Sequence, residues 1–162
     1  MSIVTRAYTA VDRAAVLRLM ASNTPRFFAP HEREEFAEFL DDLSGMYYVA
    51  TDGPDVIGAG GFAADRLPGE VVFCWFMVDA TRHGSGVGTS ITGACWRGIL
   101  TDPAFQTVRL DTSQHSRTFF ERWGFTATLI TPDGYATGMD RIDMQLELDP
   151  PTRDAIAQRL SG

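Results

Sequence analysis

Residues 78–91 read VDATRHGSGVGTSI. Three glycines alternate at Gly84, Gly86 and Gly88. Glycines spaced this way mean that the backbone bends sharply or that something comes very close to it. The run before them, VVFCWFMV at 71–78, is apolar at every position, as suits a central strand buried on both faces. After them Val87, Ile91, Ala94, Cys95, Gly98 and Ile99 repeat at helical spacing. The stretch therefore predicts a glycine loop between a buried strand and an amphipathic helix, a place where ligands commonly bind.

Outward from the loop, the chain reads as strands and helices in turn. Residues 2–8 suit a short strand, and Thr9 can cap a helix whose apolar stripe is Val11, Ala15, Leu19 and Met20. SNTPRFFAP at 22–30 reads as a loop. It leads into a helix with Phe36, Phe39, Leu40 and Leu43 on one face. MYYVA and VIGAGGFAA are strands joined by the turn Asp52-Gly53-Pro54-Asp55, and the glycines at 58, 60 and 61 mark a bulge or a close approach. Leu67-Pro68-Gly69 turns the chain into the apolar run. Downstream, TVRLD is a strand, HSRTFFERW a short helix stopped by Gly124, and FTATLI a strand. TPDGYATGMD reads as a glycine-rich loop. RIDMQLEL alternates apolar and polar residues, the pattern of a half-buried strand. Pro150-Pro151 is expected to end the core, with Thr152 capping a last helix. This gives an α+β architecture: a single domain over 1–149 and a C-terminal extension with a short helix over 150–162.

Composition limits the function classes. The chain has 162 residues, 44% of them hydrophobic, enough for a real core, and a formal net charge of -7. That charge disfavours nucleic acid and anionic membrane surfaces as partners. The longest apolar run is far shorter than the ~20 residues needed to span a bilayer, and MSIVTRAYTA lacks an apolar signal core. Cys74 and Cys95 both sit in apolar segments and read as reduced, buried thiols, with no metal site. The expectation is a cytoplasmic protein, with a homodimer left open.

A helix N-terminus offers unpaired N–H groups and partial positive charge, and glycines let an anion reach them. HGSGVGT at 83–89 thus reads as an anion cradle; the alternative is a tight turn with close helix–strand packing. The phosphate loop of nucleotide hydrolases needs a lysine that is not here, and the dinucleotide fingerprint fails at Ile91. The spacing resembles a different loop. In the GNAT superfamily of acyl-CoA-dependent N-acyltransferases it runs Arg/Gln-x-x-Gly-x-Gly/Ala, and here His83-Gly84-Ser85-Gly86-Val87-Gly88 matches, with His83 departing from the first position. A second segment of that family, Asn-x-x-Ala-x-x-x-Tyr-x-x-x-Gly-Phe, is similar to SQHSRTFFERWGF at 113–125, anchored by Gly124-Phe125. The order of elements resembles the same fold over nearly the whole chain.

The resemblance implies a GNAT-like mixed, mostly antiparallel sheet flanked by helices and splayed between the fourth and fifth strands. It implies that acetyl-CoA is the co-substrate, its pyrophosphate on the backbone of His83, Gly84, Ser85, Gly86, Val87, Gly88 and Thr89. The pantetheine arm would pair with Met77 and Val78, and Ser113 would stand where the family's asparagine holds that arm. An amine would attack the thioester directly, and a tyrosine would protonate the departing thiolate. Phe120 occupies that tyrosine's position and cannot donate a proton. Ser116, one turn earlier, is the candidate replacement; the alternative is an ordinary serine at the start of a helix. Glu70 is the candidate base, or a turn-exposed carboxylate, and His115 could also serve near pH 7. The acceptor, a small-molecule or peptide amine, would lie against 22–30 and 31–43, with Pro25, Phe27 and Phe28 as an apolar wall or as core contacts. Glu34 and Glu38 would attract an ammonium, or belong to a solvated face. Two other classes stay open: a GNAT-like module that binds acyl-CoA without fast turnover, and a nucleotide-binding protein.

Overall fold

The structure, a computed structural model, describes every residue from Met1 to Gly162. Seven strands form one sheet in the order β1-β2-β3-β4-β5-β7-β6. They are β1 (Ile3–Ala7), β2 (Met46–Asp52), β3 (Asp55–Ala64), β4 (Glu70–Val78), β5 (Thr107–Thr112), β6 (Thr126–Ala136) and β7 (Met139–Glu147). The helices are α1 (Arg13–Ser22), α2 (Glu32–Asp41), α3 (Val87–Leu100), α4 (Arg117–Glu121) and α5 (Pro150–Ser161). β4 and β5 run parallel; β1–β2, β2–β3, β5–β7 and β6–β7 are antiparallel. The β4–β5 ladder covers only Glu70–Val72 against Thr107–Arg109, although β4 runs on to Val78 and β5 to Thr112. This is the mixed sheet expected from the sequence, with its break between the fourth and fifth strands. By its contacts the chain divides into two compact units, Met1–Ala63 with Phe73–Gly98, and Ala64–Val72 with Ile99–Gly162.

In the first unit, α1 and α2 bury one stripe each. Val16, Leu19 and Met20 of α1 and Phe36 and Leu40 of α2 close over Tyr47, Val49, Ala59 and Met77. The 3.6-residue period of these positions makes the helices form here rather than elsewhere. Val11 is not part of the stripe and is 91% exposed. Thr9 precedes a 3-10 turn at Ala10–Asp12 that carries Val11 outward, and α1 begins only at Arg13. Asp12 draws Arg6 at 2.8 Å, and that hydrogen bond holds its carboxyl below the usual range despite burial.

On the other side of the first unit, α3 lies directly on β3. A Cβ at Gly58 would sit 2.6 Å from Val87 Cγ1 and 2.7 Å from Ile91 Cδ1. At Gly60 it would sit 2.8 Å from the Phe76 ring and 2.9 Å from Ile91. These two glycines therefore mark a close approach, with Val87 and Ile91 fully buried by it. Gly58→Ala is expected to destabilise the chain by about 1–3 kcal/mol through overpacking. Urea unfolding measures this, and an unchanged midpoint would contradict the packing.

In the second unit, β5 pairs with β7 along its whole length, and β7 with β6. α4 stops where Gly124 takes φ 107, and Phe125 N–H returns to the Phe120 carbonyl at 3.3 Å. The segment TPDGYATGMD is mostly strand, not loop. β6 runs through Pro132 and Gly134 to Ala136, with an irregular register between Thr131 and Ala136, and the turn is confined to Thr137 and Gly138. The last helix also starts differently. Asp149 is its cap, accepting from Thr152 N–H at 2.9 Å, and Pro150-Pro151 form its first turn, where no N–H is required. Arg159 of α5 lies 3.6 Å over the Trp123 ring.

Both cysteines are free; Cys95 is fully buried, which pushes its thiol well up, and Cys74 is partly buried. No helix is long and apolar enough to cross a membrane.

Candidate active site

Gly84 and Gly86 have φ of 81 and 90, a conformation that side chains resist. A Cβ built on either would meet no atom within 4 Å. The glycines therefore make the bend, and the space before them is clear of protein. α3 opens immediately at Val87, so the N–H groups of its first turn have no carbonyl partners within the helix. Ser90 N–H closes that turn on the Gly86 carbonyl at 3.0 Å, and Thr92 Oγ1 donates to the Gly88 carbonyl at 2.7 Å. Ser85, Thr89 and His83 are exposed. Arg82, beside the motif, is engaged elsewhere: its guanidinium pairs with Asp52 at 2.8 Å.

β4 delivers the chain to this loop through a bulge. Trp75 has φ 50, uncommon for so bulky a residue. Phe73 and Phe76 are three apart, which in a regular strand puts them on opposite faces. Here their rings lie 5.0 Å from each other. Phe73 stands edge-on to Trp96 of α3, and Phe76 packs with Val78 against Val87 and Ile91. Trp75 and Met77 pack instead with the α1–α2 cluster. One extra residue thus shifts which side chains face α3. The Trp75 carbonyl accepts from the Tyr47 hydroxyl at 2.8 Å. Burial pushes the Tyr47 phenol well above its ordinary value, so it remains a donor.

The last residue of β4 is a junction. Asp79 N–H bonds the Ile57 carbonyl of β3 at 2.8 Å, so strand alternation turns the backbone groups of Val78 the other way. The Met77 carbonyl is on the β3 side, near Gly58. The Val78 carbonyl accepts from Asn23 Nδ2 at 2.8 Å and from His83 Nε2 at 2.9 Å. Both of its lone pairs are used, and a ligand pairing here has the Val78 N–H to address. Asn23 is buried and also donates to the Leu19 carbonyl at 2.8 Å. Phe27 stands edge-on to the His83 ring at 4.9 Å, and Phe28 stacks near Trp75 at 6.3 Å. Both aromatics of the 22–30 segment are therefore half-buried contacts, while Pro25 is exposed. On α2, Glu32 is spent on the Ala29 N–H at 2.7 Å and Asp41 pairs with Arg13 at 3.1 Å; Glu34 and Glu38 are solvent-exposed.

The remaining candidates lie in the second unit. Ser113 is buried and accepts from His115 N–H through its hydroxyl at 3.3 Å. Ser116 precedes α4 and is half-buried, four residues before Phe120. Phe120 is 5% exposed and edge-on to Phe119 and Phe125, at 5.1 and 6.0 Å. Glu70 opens β4 and pairs with Arg109 at 3.0 Å. His115 is exposed.

Sequence reasoning missed three residues: Trp75, Tyr47 and Asn23. Trp75 and Tyr47 look like any other apolar strand positions. Asn23 did carry a signal, a polar residue directly after the α1 stripe.

A sequence model of the acetyltransferase (GNAT) domain matches residues 15–148. The chain belongs to the GNAT acetyltransferase family. Solved structures share this GNAT fold. A protein assigned to the GNAT family of acetyltransferases from Desulfovibrio desulfuricans superposes with a TM-score of 0.78 at 23% identity, covering 91% of this chain and 100% of that one. An aminoglycoside 6′-N-acetyltransferase complexed with coenzyme A gives 0.74 at 13% identity, over 91% and 98%. A ribosomal-protein-alanine N-acetyltransferase from Brucella melitensis gives 0.70 at 15%, over 90% and 99%. No curated protein sequence matches this GNAT chain.

Proposed function

We propose that the protein moves an acetyl group from acetyl-CoA to the primary amine of a small molecule or peptide by direct attack. The observation that carries this reading is the loop. Gly84 and Gly86 bend away from a cleared space, at the end of the bulged strand and at the N-terminus of a long helix. Those features fit a pyrophosphate, and a structural neighbour with the same fold is complexed with coenzyme A. His83, Gly84, Ser85, Gly86, Val87, Gly88 and Thr89 form the phosphate cradle. The Val78 N–H addresses the pantetheine arm, Met77 backs it from the strand, and Ser113 contributes a hydroxyl.

Acetyl-CoA, when bound, supplies the activated acyl group; the protein supplies position and protons. Ser116 is the proposed donor to the departing thiolate. A thiol of pKa ~8.5 leaves tolerably well near neutral pH, so the demand on that donor is modest. Glu70, paired with Arg109 at 3.0 Å, is the proposed base that takes the proton of the attacking amine. We read residues 1–149 as one functional domain and 150–162 as its extension.

A second reading is an acyl-CoA-binding module with little catalysis. The closely packed Phe120, at the position where the family resemblance places a tyrosine, favours it. Release of free thiol from acetyl-CoA, measured across a panel of small amines and peptide N-termini, separates the two. Amine-dependent release supports the transferase. Calorimetric binding without release selects the module, and neither binding nor release rejects both.

A further inference from the structure

We infer that Gln114 is a positioning residue for Ser116, on the reading above that Ser116 donates to the departing thiolate. Residues 113–116 join Thr112 at the end of β5 to Arg117 at the start of α4. Gln114 lies in this short loop, directly after Ser113 and two residues before Ser116. Its side-chain amide makes two bonds to the start of β7. Nε2 donates to the Gly138 carbonyl at 2.7 Å, and Oε1 accepts from the Asp140 N–H at 2.9 Å. Only one orientation of the amide makes both bonds. Turned over, it would set donor against donor and acceptor against acceptor.

The far end of this tether is braced. Gly138 turns the β6–β7 hairpin with φ 79, and its N–H donates to Asp133 Oδ1 at 2.8 Å. The Asp133 N–H donates in turn to Asp140 Oδ1 at 3.0 Å. Both residues that Gln114 grips are thus also held by Asp133 of β6. The near end is shaped locally. His115 N–H donates to Ser113 Oγ at 3.3 Å, and Ser116 N–H to the Ser113 carbonyl at 3.1 Å. Those bonds give the loop its shape, and Gln114 fixes that shape against the hairpin.

The two serines of the loop depend on this tether to different degrees. The β5–β7 ladder ends with Thr112 opposite Ile142, and Ser113 is buried directly after that pair. Ser116 is half-buried and lies beyond Gln114, where the ladder no longer holds the chain. Loss of the tether therefore displaces Ser116 more than Ser113. A displaced donor slows proton transfer without weakening the binding of substrate. The effect accordingly belongs in kcat and not in KM.

The test is a double-mutant cycle on turnover of the full chain, Gln114→Ala against Ser116→Ala, read as thiol release from acetyl-CoA with the amine that the wild-type chain turns over fastest. Gln114→Ala alone is expected to lower kcat about tenfold with KM for acetyl-CoA nearly unchanged, because a displaced donor keeps part of its effect. In the Ser116→Ala background the same change should cost nothing further, since the group it positions is gone. Gln114→Glu has the same size but sets an oxygen against the Gly138 carbonyl. It should show the same loss and the same dependence on Ser116, and it takes the place of alanine in the cycle should Gln114→Ala fail to fold. Equal fold-losses in the two backgrounds, or native kcat in both Gln114 variants, overturn the inference and leave the acetyl-transfer reading standing. Native kcat in Ser116→Ala overturns it as well, since there is then no donor at that position. Absence of amine-dependent thiol release by the wild-type chain removes the transferase reading and this inference with it.

Discussion

Gly86→Val should bind acetyl-CoA roughly 100-fold more weakly than the native chain, a loss of about two charge-assisted hydrogen bonds. Two effects combine at this position. With φ at 90, a β-branched residue is strained in its own backbone, and its side chain enters space that no protein atom occupies within 4 Å. Gly88→Val separates them. Gly88 lies within the first turn of α3 and is not among the positive-φ glycines. Its valine therefore obstructs the phosphate without that strain, and binding should fall by roughly tenfold or more with the unfolding midpoint nearly unchanged. Calorimetry with urea unfolding on each variant checks both statements. Native affinity in a folded Gly88→Val protein would show that the loop is a turn and nothing else.

Ser116→Ala should lower kcat by ~10²-fold, the low end of what a positioned general acid contributes, with little change in KM for acetyl-CoA. The low end applies because a thiolate is a fair leaving group without help. Phe120→Tyr, made in the Ser116→Ala background, should recover part of the loss. It adds a single oxygen to a ring already in place, one turn along the same helix. Phe120 is packed edge-on to Phe125, so the variant's fold must be verified by its unfolding midpoint. Wild-type turnover in both variants would remove Ser116 and Phe120 from leaving-group chemistry. An unfolded Phe120→Tyr, alongside a slowed Ser116→Ala, would make Phe120 a core residue and leave the serine's role intact.

The parts of this fold that were legible in the sequence are those decided locally. The loop at 83–88 could be read because glycine at alternate positions is itself the backbone requirement, whatever surrounds it. The α1 and α2 stripes could be read because burial repeats with the helix. What tertiary partners decide was not legible. Trp75 takes its left-handed φ inside an unbroken apolar run, where Tyr47 bonds its carbonyl from another strand. TPDGYATGMD looks like a loop because of Pro132, Gly134 and Gly138, yet β7 lies alongside and draws β6 out to Ala136. Pro150-Pro151 looks like a terminator, but Asp149 caps a helix whose first turn tolerates proline.

The candidate site divides the same way. The glycine spacing carried the phosphate cradle, because a side-chain-free backbone is its chemistry. The catalytic residues had no such signature. Glu70 was a plausible base from its place on β4, and its partner Arg109 arrives only through the parallel pairing with β5. His83 departed from the expected first residue, and its contacts are with the Val78 carbonyl five residues earlier and with Phe27 from a distant loop.

The central claim, that the loop at 83–89 holds an acyl-CoA pyrophosphate, is tested most directly by following the backbone amides of the isotope-labelled chain by NMR during titration with acetyl-CoA. The account predicts that the amides of Gly84, Gly86, Val87, Gly88 and Thr89 shift most, saturating together with the calorimetric isotherm. Saturable binding that leaves those amides unmoved, or no binding at all, would contradict it.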